Sequence, residues 1–160
     1  MAEVRVRAAS AEDVPLILSF IKELAEYERL SHEVVATEET LREWLFGERT
    51  VAEVLIGESG GDPAGFALFF HNFSTFLGKP GIYLEDLYVR PEFRGRGIGR
   101  ALLVHLAGLA KEHGCGRLEW SVLDWNEPAI GFYRGMGASP VSGWTVYRVT
   151  GKALEELGEN

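Results

Sequence analysis

RPEFRGRGIGRALL, residues Arg90 to Leu103, sets four arginines and three glycines in front of an apolar run. A turn this basic and flexible has three physical readings: a nucleic-acid arm, a phosphate loop, or a plain surface turn before a helix. An RGG-type arm is repetitive and disordered. This stretch is unrepeated and leads straight into Ala101, Leu102, Leu103, Leu106, Leu109 and Ala110, one apolar stripe at helical spacing. Neither familiar nucleotide pattern fits it. No Lys-Ser or Lys-Thr follows for a P-loop, and G-x-G-x-x-G counted from Gly95 or Gly97 ends on Arg100 or Leu102. The logic of such loops survives. Gly95, Gly97 and Gly99 let backbone N–H groups turn toward one spot at a helix N-terminus, where an anion is favoured. Arg94, Arg96 and Arg100 add positive charge there, so a pyrophosphate fits without a metal.

Working outward, Val4 to Ala8 alternate as a strand, and Ser10 caps a helix carrying Leu16, Ile17, Phe20, Ile21, Leu24 and Tyr27 to near Arg29. Thr37 opens a shorter helix with Leu41, Trp44 and Leu45. Val51 to Gly57 and Gly65 to Phe70 read as strands joined by a Glu58–Pro63 turn, and Gly81 to Val89, GIYLEDLYV, as a third. The apolar helix after the arginines stops at His113-Gly114, and Arg117 to Leu123 is another strand. Asn126 caps a helix with Pro128 in its first turn, ended by Gly137. Trp144 to Thr150 reads as a last strand and Lys152 to Leu157 as a closing helix. This order predicts one α/β domain over residues 1–160, a mixed central sheet flanked by helices.

Composition narrows the partners. The chain has 160 residues, 46% apolar and 25% charged, as in ordinary globular proteins. A net charge of −8 argues against non-specific nucleic-acid binding and suits a cationic partner. Cys115 is the single cysteine, which excludes an internal disulfide. The N-terminus lacks a signal-like apolar segment and no run approaches the ~18 apolar residues of a membrane span, so a cytoplasmic protein with no membrane partner is expected. His32, His71, His105 and His113 show no metal-ligand spacing, and no metal is expected.

Arg94-Gly-Arg-Gly-Ile-Gly99 resembles R/Q-x-x-G-x-G/A, the acyl-CoA pyrophosphate loop of the GCN5-related N-acetyltransferase (GNAT) superfamily, and it stands between a strand and a helix as that superfamily requires. Tyr83-Leu-Glu-Asp86, Trp125-Asn-Glu-Pro-Ala-Ile-Gly-Phe-Tyr133 with Gly137-Ala138, and Ile21-Lys-Glu-Leu-Ala25 with Tyr27-Glu28 narrow the resemblance. Together these blocks are similar to the spermidine/spermine and thialysine acetyltransferases. The resemblance runs from about Val4 to the C-terminal helix.

It implies acetyl-CoA as cosubstrate, a small cationic amine as acceptor, direct attack in a ternary complex, and a homodimer. An alkyl ammonium of pKa near 10.4 costs roughly 4–5 kcal/mol to deprotonate at pH 7 in water. A carboxylate that accepts the proton lowers this cost. Glu85 and Asp86 are the adjacent candidates, and the resemblance assigns the relay to Glu85, with Asp86, Tyr27 and Glu28 at the amine. It gives the acyl-CoA to the backbone of Leu87, Tyr88 and Val89, to Arg94, Gly95, Arg96, Gly97, Ile98, Gly99 and Arg100, and to Asn126, Pro128 and Ala129. Tyr133 would protonate the leaving thiolate, although a tyrosine on an apolar helix face also reads as core. Glu23 and Glu26 add acidity to the first helix, where a solvated face is the ordinary reading.

Two departures bear on the substrate. Met136 stands where the family has a basic residue, and the acidic stretch before the late Gly-Trp is shortened to Pro140-Val-Ser142 ahead of Gly143-Trp144. A long polyamine needs several spaced anions, so a thialysine- or diamine-like amine is expected ahead of it. The competing readings are acetylation of a protein N-terminus or lysine, and a non-catalytic acyl-CoA-binding module. Cys115, in a Gly-Cys-Gly turn, is not expected to carry the acyl group.

Overall fold

Five strands, β1 (Val4–Ala8), β2 (Glu53–Ser59), β3 (Asp62–Ser74), β4 (Lys79–Val89) and β5 (Leu118–Trp120), pair in chain order in the computed structural model, which describes residues 2–159. The first four are antiparallel and β4–β5 is parallel, so the sheet is mixed, as expected. The β2–β3 hairpin is tighter than the sequence indicates. Gly60 and Gly61, at φ 59° and 87°, close it as a two-residue turn with Ser59 opposite Asp62, and both strands run further into the expected loop.

The chain parts into two compact units, Met1–Leu123 and Asp124–Asn160. The first holds the sheet with helices α1 (Val14–Tyr27), α2 (Glu38–Phe46) and α3 (Ile98–Glu112). Ile17, Phe20 and Leu24 of α1 pack with Leu45 of α2 and with Val54, Ile56, Phe66 and Tyr88 of the sheet. The Phe20 and Phe66 rings stack at 5.3 Å. Each such buried side chain contributes roughly 1.5–3 kcal/mol of transfer free energy. Neighbouring strand residues face opposite sides. Ile56 meets α1, whereas a Cβ on Gly57 would come within 2.8 Å of Ile98 Cγ2 in α3. Helices therefore cover both faces, and Gly57 lets the start of α3 approach the sheet.

Arg90, just past β4, clamps the strand to α1. Its guanidinium pairs with Glu23 at 3.0 Å, donates to Ser19 Oγ at 3.0 Å and to the Pro63 carbonyl at 3.4 Å, and lies 4.6 Å over the Phe20 ring. The first arginine of the opening stretch is thus a structural part, and Glu23 is its counter-ion instead of a solvated acid.

The second unit contains α4 (Glu127–Gly135) and α5 (Gly151–Gly158). Asn126 Oδ1 accepts the Ala129 N–H at 3.4 Å, the expected cap, with Pro128 in the first turn and Gly137 at φ 94° beyond the end. The strand expected over Trp144–Thr150 is absent, a correction to the sequence reading. Its β-forming residues find no ladder among the described residues, and a strand without a partner is not a stable unit. Trp144, Val146 and Tyr147 are 81%, 84% and 92% exposed. The strand expected over Arg117–Leu123 shortens to Leu118–Trp120 for the same reason, since β4 pairs with it only over three residues. Among the described residues no helix is long and apolar enough to cross a membrane.

The Arg90 clamp predicts a stability effect. Arg90→Met keeps an unbranched stem but leaves the half-buried Glu23 carboxylate without its counter-ion, held by the Ser19 and Tyr88 hydroxyls, so urea denaturation should show a loss of roughly 1–3 kcal/mol. A change under about 0.5 kcal/mol would mean that the clamp is idle.

Candidate active site

The β4–β5 ladder joins Ile82 to Leu118, Tyr83 to Glu119 and Leu84 to Trp120, and ends there. From Asp86 to Val89 the strand pairs with β3, and among the described residues no strand pairs with its other side. Regular pairing with β3 is also interrupted, since Phe69 faces Leu84 while Leu68 faces Asp86, so Glu85 is an extra, bulged residue. A strand edge left open inside a sheet offers backbone N–H and C=O groups to an extended, amide-bearing ligand. Leu87, Tyr88 and Val89 lie on this edge, although the Tyr88 side chain is itself core and its hydroxyl donates to Glu23 Oε1 at 3.3 Å.

The arginine-glycine loop follows directly. Gly95 and Gly97 hold φ 78° and 83°, a left-handed conformation that L side chains resist, and beyond both lies open space. Gly97 is the N-cap of α3, and no side chain caps it. The first-turn N–H groups of that helix lack intrahelical acceptors. Such donors at the positive end of a 15-residue helix, beside two glycines with open space around them, suit an anion without a metal. Ile98 is 1% exposed, so its side chain belongs to the core and only its backbone can serve a ligand. Arg94 Nε donates to the Val89 carbonyl at 2.9 Å, and its guanidinium lies 5.2 Å over Tyr27 and 5.8 Å over Tyr88. Arg96 lies over Phe93 at 5.3 Å. Arg94 therefore ties the loop both to β4 and to the end of α1.

Three carboxylates meet beside this edge. Glu85 is exposed at the bulge, and Glu28 and Asp86 are half-buried. Loss of hydration, reinforced by the charges of Glu85 and Glu28, pushes the Asp86 carboxyl up to about 7. Burial also raises Glu28 above the usual carboxylate range. Such a cluster attracts a cation and holds a group that changes protonation near neutrality. Of the expected residues, Tyr27, Glu28, Glu85, Asp86, Tyr88 and Arg94 are thus brought together. In the second unit Asn126 is buried, Ala129 and Tyr133 are half-buried, Pro128 is exposed, and the Tyr133 ring lies 5.6 Å from that of Phe132. Gly99 and Arg100 fall in the first turn of α3. Sequence reasoning missed the bulge and the Arg90–Glu23 pair. The only available signal for the bulge is two successive carboxylates in an otherwise apolar strand.

A model of the Acetyltransferase (GNAT) family matches residues 18–138. The chain is 41% identical to the thialysine N-epsilon-acetyltransferase of Bos taurus, over 98% of each chain. It is 34% identical to the L-ornithine N5-acetyltransferase of Arabidopsis thaliana, over 96% of this chain and 87% of the other. Among solved structures, an integron cassette protein from the V. cholerae mobile metagenome superimposes with a TM-score of 0.81 at 30% identity, covering 100% of this chain and 99% of the other.

The raised Asp86 predicts how stability responds to pH. The folded chain keeps this proton up to about 7, whereas the unfolded chain releases it near the ordinary carboxylate value of 3.8. Burying the group therefore costs stability increasingly as pH rises between those values, and the whole cost is present above them. Asp86→Asn removes it. Urea midpoints should show the variant gaining on wild type from pH 4 to pH 7 and holding a constant lead above. A difference independent of pH would contradict the shift.

Proposed function

The chain belongs to the acetyltransferase (GNAT) family, and from that premise we propose that it moves an acetyl group from acetyl-CoA to a small primary amine of thialysine, ornithine or diamine type. It is an N-acetyltransferase, and the domain spans residues 1–160. The observation that carries the substrate reading is the Glu28–Glu85–Asp86 cluster beside an open strand edge and an anion-holding loop. The loop donors and the arginines suit the pyrophosphate of acetyl-CoA, and the edge of Leu87–Val89, left by β5 and with its Val89 carbonyl already taken by Arg94, suits its amide-bearing arm.

The chemistry asked of the residues is limited. The acceptor arrives as an ammonium, so as nitrogen bonds to the thioester carbonyl carbon and the carbon–sulfur bond breaks, two protons leave the nitrogen; one reaches the sulfur in balance and the other passes to solvent. Glu85, exposed at the bulge, meets the ammonium and passes its proton on. Asp86 is a second acceptor, favoured by a proton affinity close to working pH. The backbone N–H groups of the open edge are suited to polarise the carbonyl. Tyr133 supplies the proton to the thiolate, a role that rests on its place in Trp125–Tyr133 of the sequence pattern. Two or three clustered acids suit one ammonium plus a short second cation better than a long polyamine, in keeping with the shortened Pro140–Ser142 stretch. A single unpaired cysteine agrees with work in the cytoplasm. The exposed apolar side chains of Val141, Trp144, Val146, Tyr147 and Val149 support a homodimer.

The deciding experiment is a thiol-release assay with acetyl-CoA and a panel of thialysine, ornithine, 1,3-diaminopropane, spermidine, and peptides with free N-termini or lysines. Turnover should be greatest with the first three. Preference for peptides would replace this reading with protein acetylation, and no turnover at all would leave a binding module. On the best amine, Tyr133→Phe should lower kcat by ~10²–10⁴-fold with little change in the amine KM. A loss under about threefold would return Tyr133 to a packing role. Glu85→Gln should depress turnover most at low pH, where the amine is most protonated, and Asp86→Asn should remove the inflection near pH 7. An unchanged profile in either variant excludes that residue as acceptor.

A further inference from the structure

His71 and His113 stand 42 positions apart, yet Nε2 of the first lies 3.0 Å from Nδ1 of the second. Their ring centres are 5.1 Å apart with planes inclined by 37°. Both side chains are exposed and both backbones are anchored. His71 sits in β3 opposite Ile82 of β4. His113 is the C-cap of α3; its N–H donates to the Leu109 carbonyl at 2.9 Å, and the Gly114 and Cys115 N–H groups donate back to Lys111 and Ala110 at 3.2 and 2.8 Å. Strand and helix end therefore hold the two rings edge to edge, nitrogen toward nitrogen, before any ligand arrives.

We propose that this pair binds one divalent transition-metal ion through Nε2 of His71 and Nδ1 of His113, copper(II) or nickel(II) ahead of zinc. Metal–imidazole bonds are about 2.0–2.1 Å long. Two bonds of that length to nitrogens 3.0 Å apart enclose an angle of about 90–95°, the cis angle of square-planar or tetragonal coordination that copper(II) and nickel(II) prefer. A tetrahedral ion would need the nitrogens roughly 3.4 Å apart. Imidazole selects these ions over magnesium and calcium, which take oxygen ligands. The site is at the C-terminal end of α3, where the helix carbonyls favour positive charge. In the hydrogen bond one ring nitrogen donates to the other. Before both can ligate an ion, the donating ring gives up that proton, to its own far nitrogen or to water. Among the described residues no third histidine, cysteine or carboxylate joins the set, so water or a small external ligand completes the coordination. The site is separate from the acetyl-transfer residues and does not depend on their assignment.

The test uses the full-length chain without an affinity tag, stripped with EDTA and titrated with nickel(II) in a calorimeter. One ion should bind per chain. Because the second nitrogen acts as a pre-placed, intramolecular ligand, His71→Ala and His113→Ala should each weaken nickel binding by ~10²-fold. His105→Ala, which removes an exposed histidine elsewhere on α3, should leave it unchanged. Copper(II) bound to wild type should show electron-spin coupling to two imidazole nitrogens, lost in either of the first two variants. Absence of saturable nickel binding would overturn the proposal, as would wild-type affinity in both variants or a loss confined to one of them.

Discussion

Between Leu68 and Phe69 of β3 the facing strand carries three residues, Leu84, Glu85 and Asp86, where regular pairing has two, and this excess decides which helix each side chain meets. Cross-strand partners share a face. Leu84 pairs with Phe69, whereas Asp86 and Tyr88 pair with Leu68 and Phe66, whose side chains belong to the cluster around α1. Without the bulge Asp86 would follow Leu84 to the other face of the sheet. With it, Asp86 comes within the field of Glu28 at the end of α1, and the Tyr88 ring meets Phe20 edge-on at 6.4 Å. The ladder to β5 stops at Leu84, so the same short segment gathers the carboxylates and frees the strand edge.

Periodicity made most of the fold legible in the sequence. The apolar stripe after Gly99, the caps Thr37 and Asn126, and the β-rich run before Val89 each name an element through local chemistry, and each forms close to its expected bounds. The failures are non-local. Trp144–Thr150 has the composition of a strand, but composition supplies no partner. A bulge is a register between two strands, and nothing within GIYLEDLYV states how that stretch aligns with β3. The site shows the same division. Glu85, Asp86 and the glycine loop could be singled out by residue type, while the raised proton affinity of Asp86 comes first from burial, which only the fold supplies, with a smaller part from Glu28, 58 positions away by the numbering.

The arginines that posed the first question answer it separately. Arg90 is spent on Glu23, Ser19 and Phe20 in the packing of the first unit. Arg94 joins loop, strand and helix by one hydrogen bond and two ring contacts. A basic cluster in sequence therefore need not be a basic patch in space. The proposed anion site rests as much on the left-handed backbone of Gly95 and Gly97 as on the guanidinium groups around them.

The segment after Gly143 carries a different consequence, for the behaviour of the chain in solution. Trp144, Val146 and Tyr147 stand in water beside Val149 in a stretch free of proline and rich in β-formers. Such a window is the kind that seeds cross-β aggregation when its edges are uncovered. Arg148 interrupts it and Lys152 follows soon after, in the position of gatekeepers. The net charge of −8 keeps separate chains apart at neutral pH. Near the isoelectric point of about 5.0 that repulsion vanishes, and colloidal stability then rests on this one segment being covered.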